Sequence, residues 1–314
     1  MALLAWTVGG LALIAGLLAF WSWHIARKID AALPAQGHWI DVTGGRIHYV
    51  EMGPKDASGP PVVMIHGILA QLRHFSYALA DRIAKDHRVI LIDRPGWGHS
   101  TIVGRRPGIG AQADMIAEAL DTLGVEKPLV VGHSMGGAVS LALALRHPGL
   151  PRGLALIAPY TQPVEKVVDT FRSLLVSERL RPIIAWTLSI PLGIKTGKKK
   201  AAQAFSPDPV PADFGLRGGG MLALKPASFQ SGAFELAVAN AEMQIQAPLY
   251  GGITMPVAIL YGRGDYLLEP ALHGETTAAA IPGCKLTLVE GGHMLLVCHV
   301  DTTEEWLRGV ISGS

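Results

Sequence analysis

The chemistry most legible in this chain centres on one serine. Gly132-His133-Ser134-Met135-Gly136 fits the pattern G-x-S-x-G, with an apolar run at 129–132 leading in and an apolar stretch at 135–147 leading out. That is the strand–turn–helix context in which a serine is forced into strained backbone and lifted above the edge of a sheet. So sharp a turn needs small residues on both sides to avoid collision, and Gly137 extends the small patch. The turn also sets the hydroxyl at the positive end of the following helix. A serine hydroxyl is a poor nucleophile at neutral pH, so Ser134 needs a base.

Twelve histidines compete for that role. His133 lies inside the turn and is expected to project away from the serine. His66 precedes a glycine at a strand end and is expected to brace its own turn. His293 follows the last strand candidate in Glu290-Gly291-Gly292-His293, where a glycine pair lets the loop carry an imidazole over the carboxyl edge of the sheet. The orienting acid is expected in Tyr261-Gly262-Arg263-Gly264-Asp265, directly after the apolar run 257–261. A carboxylate there accepts the imidazole N–H, fixes its tautomer and stabilises the imidazolium as it forms. Glu269 and Asp301 are the rival acids, and Asp265 stands nearest the strand end. The developing oxyanion needs two N–H donors. Met135, the residue after the nucleophile, supplies one, and Ile68, in the loop after the run 61–65, is expected to supply the other.

These groups must be carried by a scaffold, and the pattern along the chain describes one. Short apolar runs at 39–42, 46–52, 61–65, 88–93, 129–132, 154–158, 257–261 and 285–289 read as strands, the first two as a hairpin turned at Gly44-Gly45. Helical spacing appears at 111–123, 135–147 and 302–310. Alternation of this kind predicts a mostly parallel sheet with helices on both faces. Residues 159–250 break the alternation and are too long for one crossover. Several helical stretches interrupted by Pro182, Pro191, Pro207, Pro209, Pro211 and Gly218-Gly219-Gly220 read as an inserted helical cap. Its apolar residues Phe171, Leu174, Leu175, Trp186, Leu188, Ile190 and Leu192 divide between ordinary cap core, a pocket roof and membrane contact. The run Lys198-Lys199-Lys200 reads as a solvated face, with contact to anionic lipid as the alternative.

Only 17% of the 314 residues are charged and the net charge is +2. That balance gives no reason to expect a nucleic-acid partner. Neither H-E-x-x-H nor G-x-x-x-x-G-K-[ST] occurs, so no metal or nucleotide cofactor is expected. Cys284 and Cys298 do not form a C-x-x-C pair and read as free thiols. Residues 2–23 carry no charge, span about 30 Å as a helix, and end in Trp21 and Trp23. The run exceeds the roughly 7–15 residues of a signal-peptide core, and no positive region precedes it, so it reads as an uncleaved single-pass membrane anchor. Arg27 and Lys28 follow directly, a bias that favours a cytoplasmic catalytic domain. The expected division is an anchor at 1–30, catalytic core at 31–158 and 251–314, and cap at 159–250.

From about Trp39 onward, HGILA (66–70), DRPGWGHS (93–100), GHSMGG (132–137), YGRGD (261–265) and GGH (291–293) resemble the ordered landmarks of the α/β-hydrolase superfamily. The resemblance implies an α/β-hydrolase fold: an eight-stranded, mostly parallel sheet with a helical cap, and the chain order Ser, Asp, His. It also implies that residues 93–100 form a structural loop beside the site, with Trp97 lining the substrate pocket. Dehalogenases and epoxide hydrolases of this fold carry Asp as nucleophile, where this chain has Ser134. Carbon–carbon bond hydrolases usually show a Gly- and Pro-rich stretch after His-Gly and Trp after the last His, where this chain has Ile68-Leu69-Ala70 and Met294. The expected activity is hydrolysis of a carboxylic ester or thioester with an apolar acyl or alcohol part. C–C, amide or lactone hydrolysis, perhydrolysis, and a non-catalytic binding protein on the same fold are the alternatives.

Overall fold

Aliphatic and β-branched runs become the strands β1 (His38–Val42), β2 (Gly45–Met52), β3 (Val62–Ile65), β4 (Val89–Ile92), β5 (Thr101–Ile102), β6 (Leu129–His133), β7 (Gly153–Ile157), β8 (Val257–Gly262) and β9 (Lys285–Val289). The computed structural model describes residues 1–313, the side chains of residues 2–5 excepted; residue 314, the last of the expected core, lies outside the described residues. Eight strands follow one path, β1-β2-β4-β3-β6-β7-β8-β9, and the two-residue β5 pairs with β2 off that path. The pairs β1–β2 and β2–β4 are antiparallel; from β4 to β9 every pair is parallel. The short ninth strand is the one departure from the expected eight.

Before the cap region come the helices α1 (Ala2–Ala32), α2 (Arg73–Ser76), α3 (Leu79–Ile83), α4 (Ile109–Thr122) and α5 (Met135–Arg146). Between β7 and β8 lie α6 (Arg181–Thr187), α7 (Ser189–Phe205) and α8 (Pro226–Gln246); α9 (Thr276–Ala280), α10 (Leu295–Cys298) and α11 (Val300–Gly313) follow. Pro182 and Pro226 sit in the first turns of α6 and α8, where the missing N–H has no intrahelical acceptor to lose.

Strand residues alternate between two cores because successive side chains point to opposite faces. Val63, Ile65, Val130, Leu154, Leu156 and Ile259 pack with α4 and α5. Val62, Met64, Leu129, Val131, Ile157 and Leu260 face Phe75, Leu79, Leu295, Leu307 and Ile311. Burial on both faces is why these strands read as continuous apolar runs.

The first helix runs two residues past the expected anchor, to Ala32. The reason is tertiary: Ile29 and Leu33, one turn apart, bury against Leu222, so the residues after the apolar run stay helical. From Trp6 to Ala32 the helix is long and apolar enough to cross a membrane, and its outer face, from Trp6 to Phe20, is largely uncovered by the rest of the chain.

Four buried histidines make the fold acid-sensitive. Burial, with help from Arg94, pushes His66 down to about 3. Burial brings His74 and His273 to about 4 and, with the neighbouring His293, holds His133 well below the usual histidine range. The folded state keeps all four neutral, while the unfolded chain protonates them near 6.5. Their contribution is therefore full above about pH 6.5 and is lost as pH falls towards about 4. Calorimetric Tm is expected to drop between about pH 6.5 and 5, before most carboxylates titrate; an unchanged Tm across that window would contradict the assignment.

Candidate active site

Parallel pairing brings the carboxyl ends of β3, β6, β8 and β9 to one edge. Ile65 lies beside Gly132, His133 beside Ile157, and Gly262 beside Val289. The four loops that leave this edge carry Ile68, Ser134, Asp265 and His293.

Ser134 sits between β6 and α5 at φ 54°, ψ −122°, a conformation that costs a non-glycine residue strain. Its neighbours leave no room for side chains. A Cβ on Gly136 would fall 2.0 Å from the Ile65 carbonyl oxygen, and one on Gly132 would fall 2.5 Å from Ser140 Oγ. The backbone is pinned by Ser134 N–H donating to the Ile157 carbonyl (3.1 Å) and by the Tyr160 and Gly137 N–H groups donating to the Ser134 carbonyl (2.9 and 2.8 Å). The hydroxyl is left without a hydrogen bond among the described residues, and it faces the cavities where His293 also lies.

His293 and Asp265 are paired. His293 Nδ1 lies 2.8 Å from Asp265 Oδ2, and both side chains are nearly fully buried. The other carboxylate oxygen, Oδ1, accepts the N–H groups of Leu267 (2.9 Å) and Leu268 (3.0 Å). Three hydrogen bonds shared between both oxygens fix the carboxylate, and the imidazole is held with Nε2 free. Of the rival acids, Asp301 lies on the surface with Arg82, and Glu269 lines the smaller cavity without touching the ring.

The loop carrying Ile68 lies directly against the nucleophile: a Cβ on Gly67 would sit 2.8 Å from Ser134 Cβ. Neither the Ile68 nor the Met135 N–H is bonded within the described residues. The loop is braced from behind. His66 Nε2 accepts the Arg94 N–H (2.9 Å), so its Nδ1 carries the proton and donates to the Gly67 carbonyl (2.8 Å). Arg94 Nη2 donates to the same carbonyl (2.9 Å).

Trp97 does not line the pocket, contrary to what the resemblance implies. It is 1% exposed and donates from Nε1 to Glu235 Oε1 (2.8 Å), a layer behind the cavity wall and close to Gly232 of α8. The indole N–H needs an acceptor once buried, and α8 supplies it. Around this contact is a buried network that the sequence reading missed. Arg94 Nη1 meets Glu235 Oε1 at 2.7 Å and Gln112 Oε1 at 2.7 Å; Gln112 Nε2 donates to Glu235 (2.9 Å). An arginine directly after an apolar strand run, where a buried charge demands a buried partner, was the available signal. His133 packs beside His293. Its ring lies 4.9 Å from that of His293, with Nε2 3.1 Å from the His293 carbonyl oxygen.

The nearby loop 93–100 is organised by Asp93. Burial pushes this carboxyl up, but the hydrogen bond from His48 (2.7 Å), the neighbouring His66 imidazole and the Leu72 N–H outweigh it and hold the group below its ordinary value.

Two cavities meet at Ile68, Ser134, Phe171, Leu267 and His293. The larger, about 800 Å³, runs up through Leu174 and Phe214 to α7. The smaller, about 440 Å³, holds Tyr160, Lys166, Asn240 and Glu269. Phe171, Leu174 and Leu192 are therefore pocket residues, Ile190 is cap core, and Leu175, Trp186 and Leu188 face outward.

Among curated proteins, haloalkane dehalogenase 2 of Mycobacterium tuberculosis (strain ATCC 25618 / H37Rv) is 35% identical over 130 residues, 39% of this chain and 42% of that protein. The chain thus spans about two fifths of that relative's length. The magnesium-chelatase 30 kDa subunit of Rhodobacter capsulatus is 28% identical over 291 residues, 83% of this chain and 90% of that one. A solved structure described as a membrane phospholipase A, a bacterial virulence factor, superposes with a TM-score of 0.69 at 24% identity, covering 99% of this chain and 96% of its own. The family model described as the alpha/beta hydrolase fold matches residues 60–299, from just before β3 to the residue preceding α11. With the sheet order, the strained serine turn and this match over most of its length, the chain belongs to the alpha/beta hydrolase fold family.

Proposed function

We propose that this hydrolase cleaves a carboxylic ester or thioester with an apolar acyl group, through an acyl-enzyme on Ser134, while α1 tethers it to a membrane. The observation that carries the reading is the meeting of Ser134 and the Asp265-held His293 at the junction of two cavities. An ester has two arms, and the site has two pockets. The apolar 800 Å³ cavity suits an acyl chain; the smaller one, with Tyr160, Lys166, Asn240 and Glu269, suits a more polar leaving group.

In this mechanism His293 Nε2 takes the Ser134 proton as Oγ attacks the acyl carbon, and Asp265 stabilises the imidazolium. The N–H groups of Ile68 and Met135 receive the charge that develops on the carbonyl oxygen. The imidazolium then protonates the departing alcohol or thiol. Water, deprotonated by the same imidazole, releases the acid and restores the hydroxyl. A membrane tether agrees with the length of α1, and the likeness to the membrane phospholipase extends over nearly the whole chain.

The test is a series of p-nitrophenyl esters of increasing acyl length. kcat/KM is expected to rise from acetate to medium-chain esters as apolar surface is buried, since each buried CH₂ contributes up to about 0.8 kcal/mol. A preference for acetate, or turnover of lactones with none of open esters, would sink the acyl-chain assignment.

A further inference from the structure

The second half of α1 is bound to the cap along a stripe. Ala15, Leu18 and Ala19 are half-buried, and Ser22, Ala26, Ile29 and Leu33 are buried, at the three- and four-residue spacing of one helix face. The partners are α6, α7 and the turn at residues 220–224. Lys225 Nζ to Asp30 Oδ1 (2.7 Å) closes the lower end.

At about 1.5 Å per residue this helix is some 15 Å longer than a bilayer core of about 30 Å. If its uncharged part spans the core, the exposed Trp21 and Trp23 mark the headgroup layer and the charges of Arg27 and Lys28 lie beyond it. The stripe from Ala15 to Ser22 then lies at or inside that layer. Whatever packs on it is drawn to the same depth, and α6 packs against α1.

The cap is built for that depth. Leu180, Ile183, Trp186, Leu188, Leu192 and Ile194 are large apolar side chains exposed on α6, α7 and their approaches. An exposed apolar patch of this kind marks a surface with a partner. Between Glu178 and Asp208 the sequence holds Arg179, Arg181, Lys195, Lys198, Lys199 and Lys200 and no acid. Lys195, Lys198 and Lys199 are exposed. Apolar side chains interleaved with cations match acyl chains beneath anionic headgroups. The larger cavity connects this face to the chemistry: Leu192, Gly193, Ile194 and Lys198 line one end of it, and Ser134 and His293 the other.

We propose that the α6–α7 face of the cap lies in the headgroup layer of an anionic bilayer, so that a lipid-borne ester slides from the membrane into the larger cavity without crossing water. The inference rests on the reading of α1 as an anchor and gives the ester hydrolase its substrate source.

The full chain, reconstituted into phosphatidylcholine vesicles with and without phosphatidylglycerol, carries a fluorescent NBD label at Leu188→Cys in a Cys284→Ala, Cys298→Ala background. Hydrolysis of a soluble short-chain p-nitrophenyl ester checks that the labelled protein is folded. The label is expected to emit in the blue and to be quenched by brominated acyl chains. The variant Lys195→Glu, Lys199→Glu is expected to hydrolyse a vesicle-borne ester about tenfold more slowly in anionic vesicles, with its rate on the soluble ester unchanged. Residue 188 reading as water-exposed while the protein resists alkaline extraction overturns the inference and spares the anchor. Extraction of the protein overturns the anchor reading itself. A blue label that brominated lipid does not quench means that another copy of the chain covers the face, and that also overturns the proposal, as does wild-type hydrolysis of the vesicle-borne ester by the lysine variant.

Discussion

Ser134→Ala is expected to abolish covalent labelling by a fluorophosphonate and to lower kcat by a factor on the order of 10⁶. The size follows from the chemistry: without Oγ there is no acyl-enzyme, and what remains is the oxyanion donors and binding alone. The alanine has no steric reason to unfold the protein, because its Cβ already stands where the serine Cβ does. The backbone at 134 is held by its own N–H and carbonyl, with Ile157, Tyr160 and Gly137 as partners. Tm is therefore expected to stay near that of the parent, and relief of the strained φ of 54° is unavailable, since alanine gains nothing there over serine. Mass spectrometry of the labelled protein reads the result directly. Undiminished labelling of the alanine variant would remove Ser134 from the mechanism and with it the acyl-enzyme.

The second large effect is expected away from the reacting atoms, at Glu235. Its carboxylate accepts from Arg94, Gln112 and Trp97 and is 3% exposed, and the Arg94 side chain is fully buried. Glu235→Ala leaves that guanidinium charged and without its counter-ion, at a cost of roughly 3–5 kcal/mol. Replacing both partners, Arg94→Met with Glu235→Leu, removes the stranded charge and is expected to recover most of the stability. Activity is expected to behave differently. Arg94 also donates to the Gly67 carbonyl, which sets the loop that presents the Ile68 N–H. The double variant should therefore refold to near-parent stability while kcat stays low, within the roughly 10²- to 10³-fold that loss of one oxyanion donor costs. KM should change less than kcat, because the donor acts on charge that appears in the transition state. Urea melts and steady-state kinetics on one ester separate the two. A double variant with full kcat would show that the network holds the cap to the core and nothing more.

Much of this protein was legible before any coordinates. Strand positions came from apolar runs that must be buried on both faces, and the structure moves their ends by no more than one residue. The strand–turn–helix around Ser134 was readable because the turn admits only small neighbours, and the close approaches at Gly132 and Gly136 are the physical form of that rule. What holds the end of α1 was not readable, because Ile29 and Leu33 bury against a turn some 190 residues further along the chain. Trp97 was misplaced for the same kind of reason. An indole in a loop beside the site looks like pocket wall until α8 brings Glu235 within 2.8 Å of its N–H.

The sequence by itself determined which atoms are available for chemistry, since residue types, glycine positions and the order of apolar runs are local properties of the chain. Only the tertiary structure decided which of them meet. Asp265, and neither Glu269 nor Asp301, reaches His293, because the pairing of β8 with β9 brings those two loops side by side. It also decided where the substrate space lies, because cavity walls come from residues hundreds of positions apart. Periodicity reports on which face of an element is buried, but it carries no information about which other element buries it.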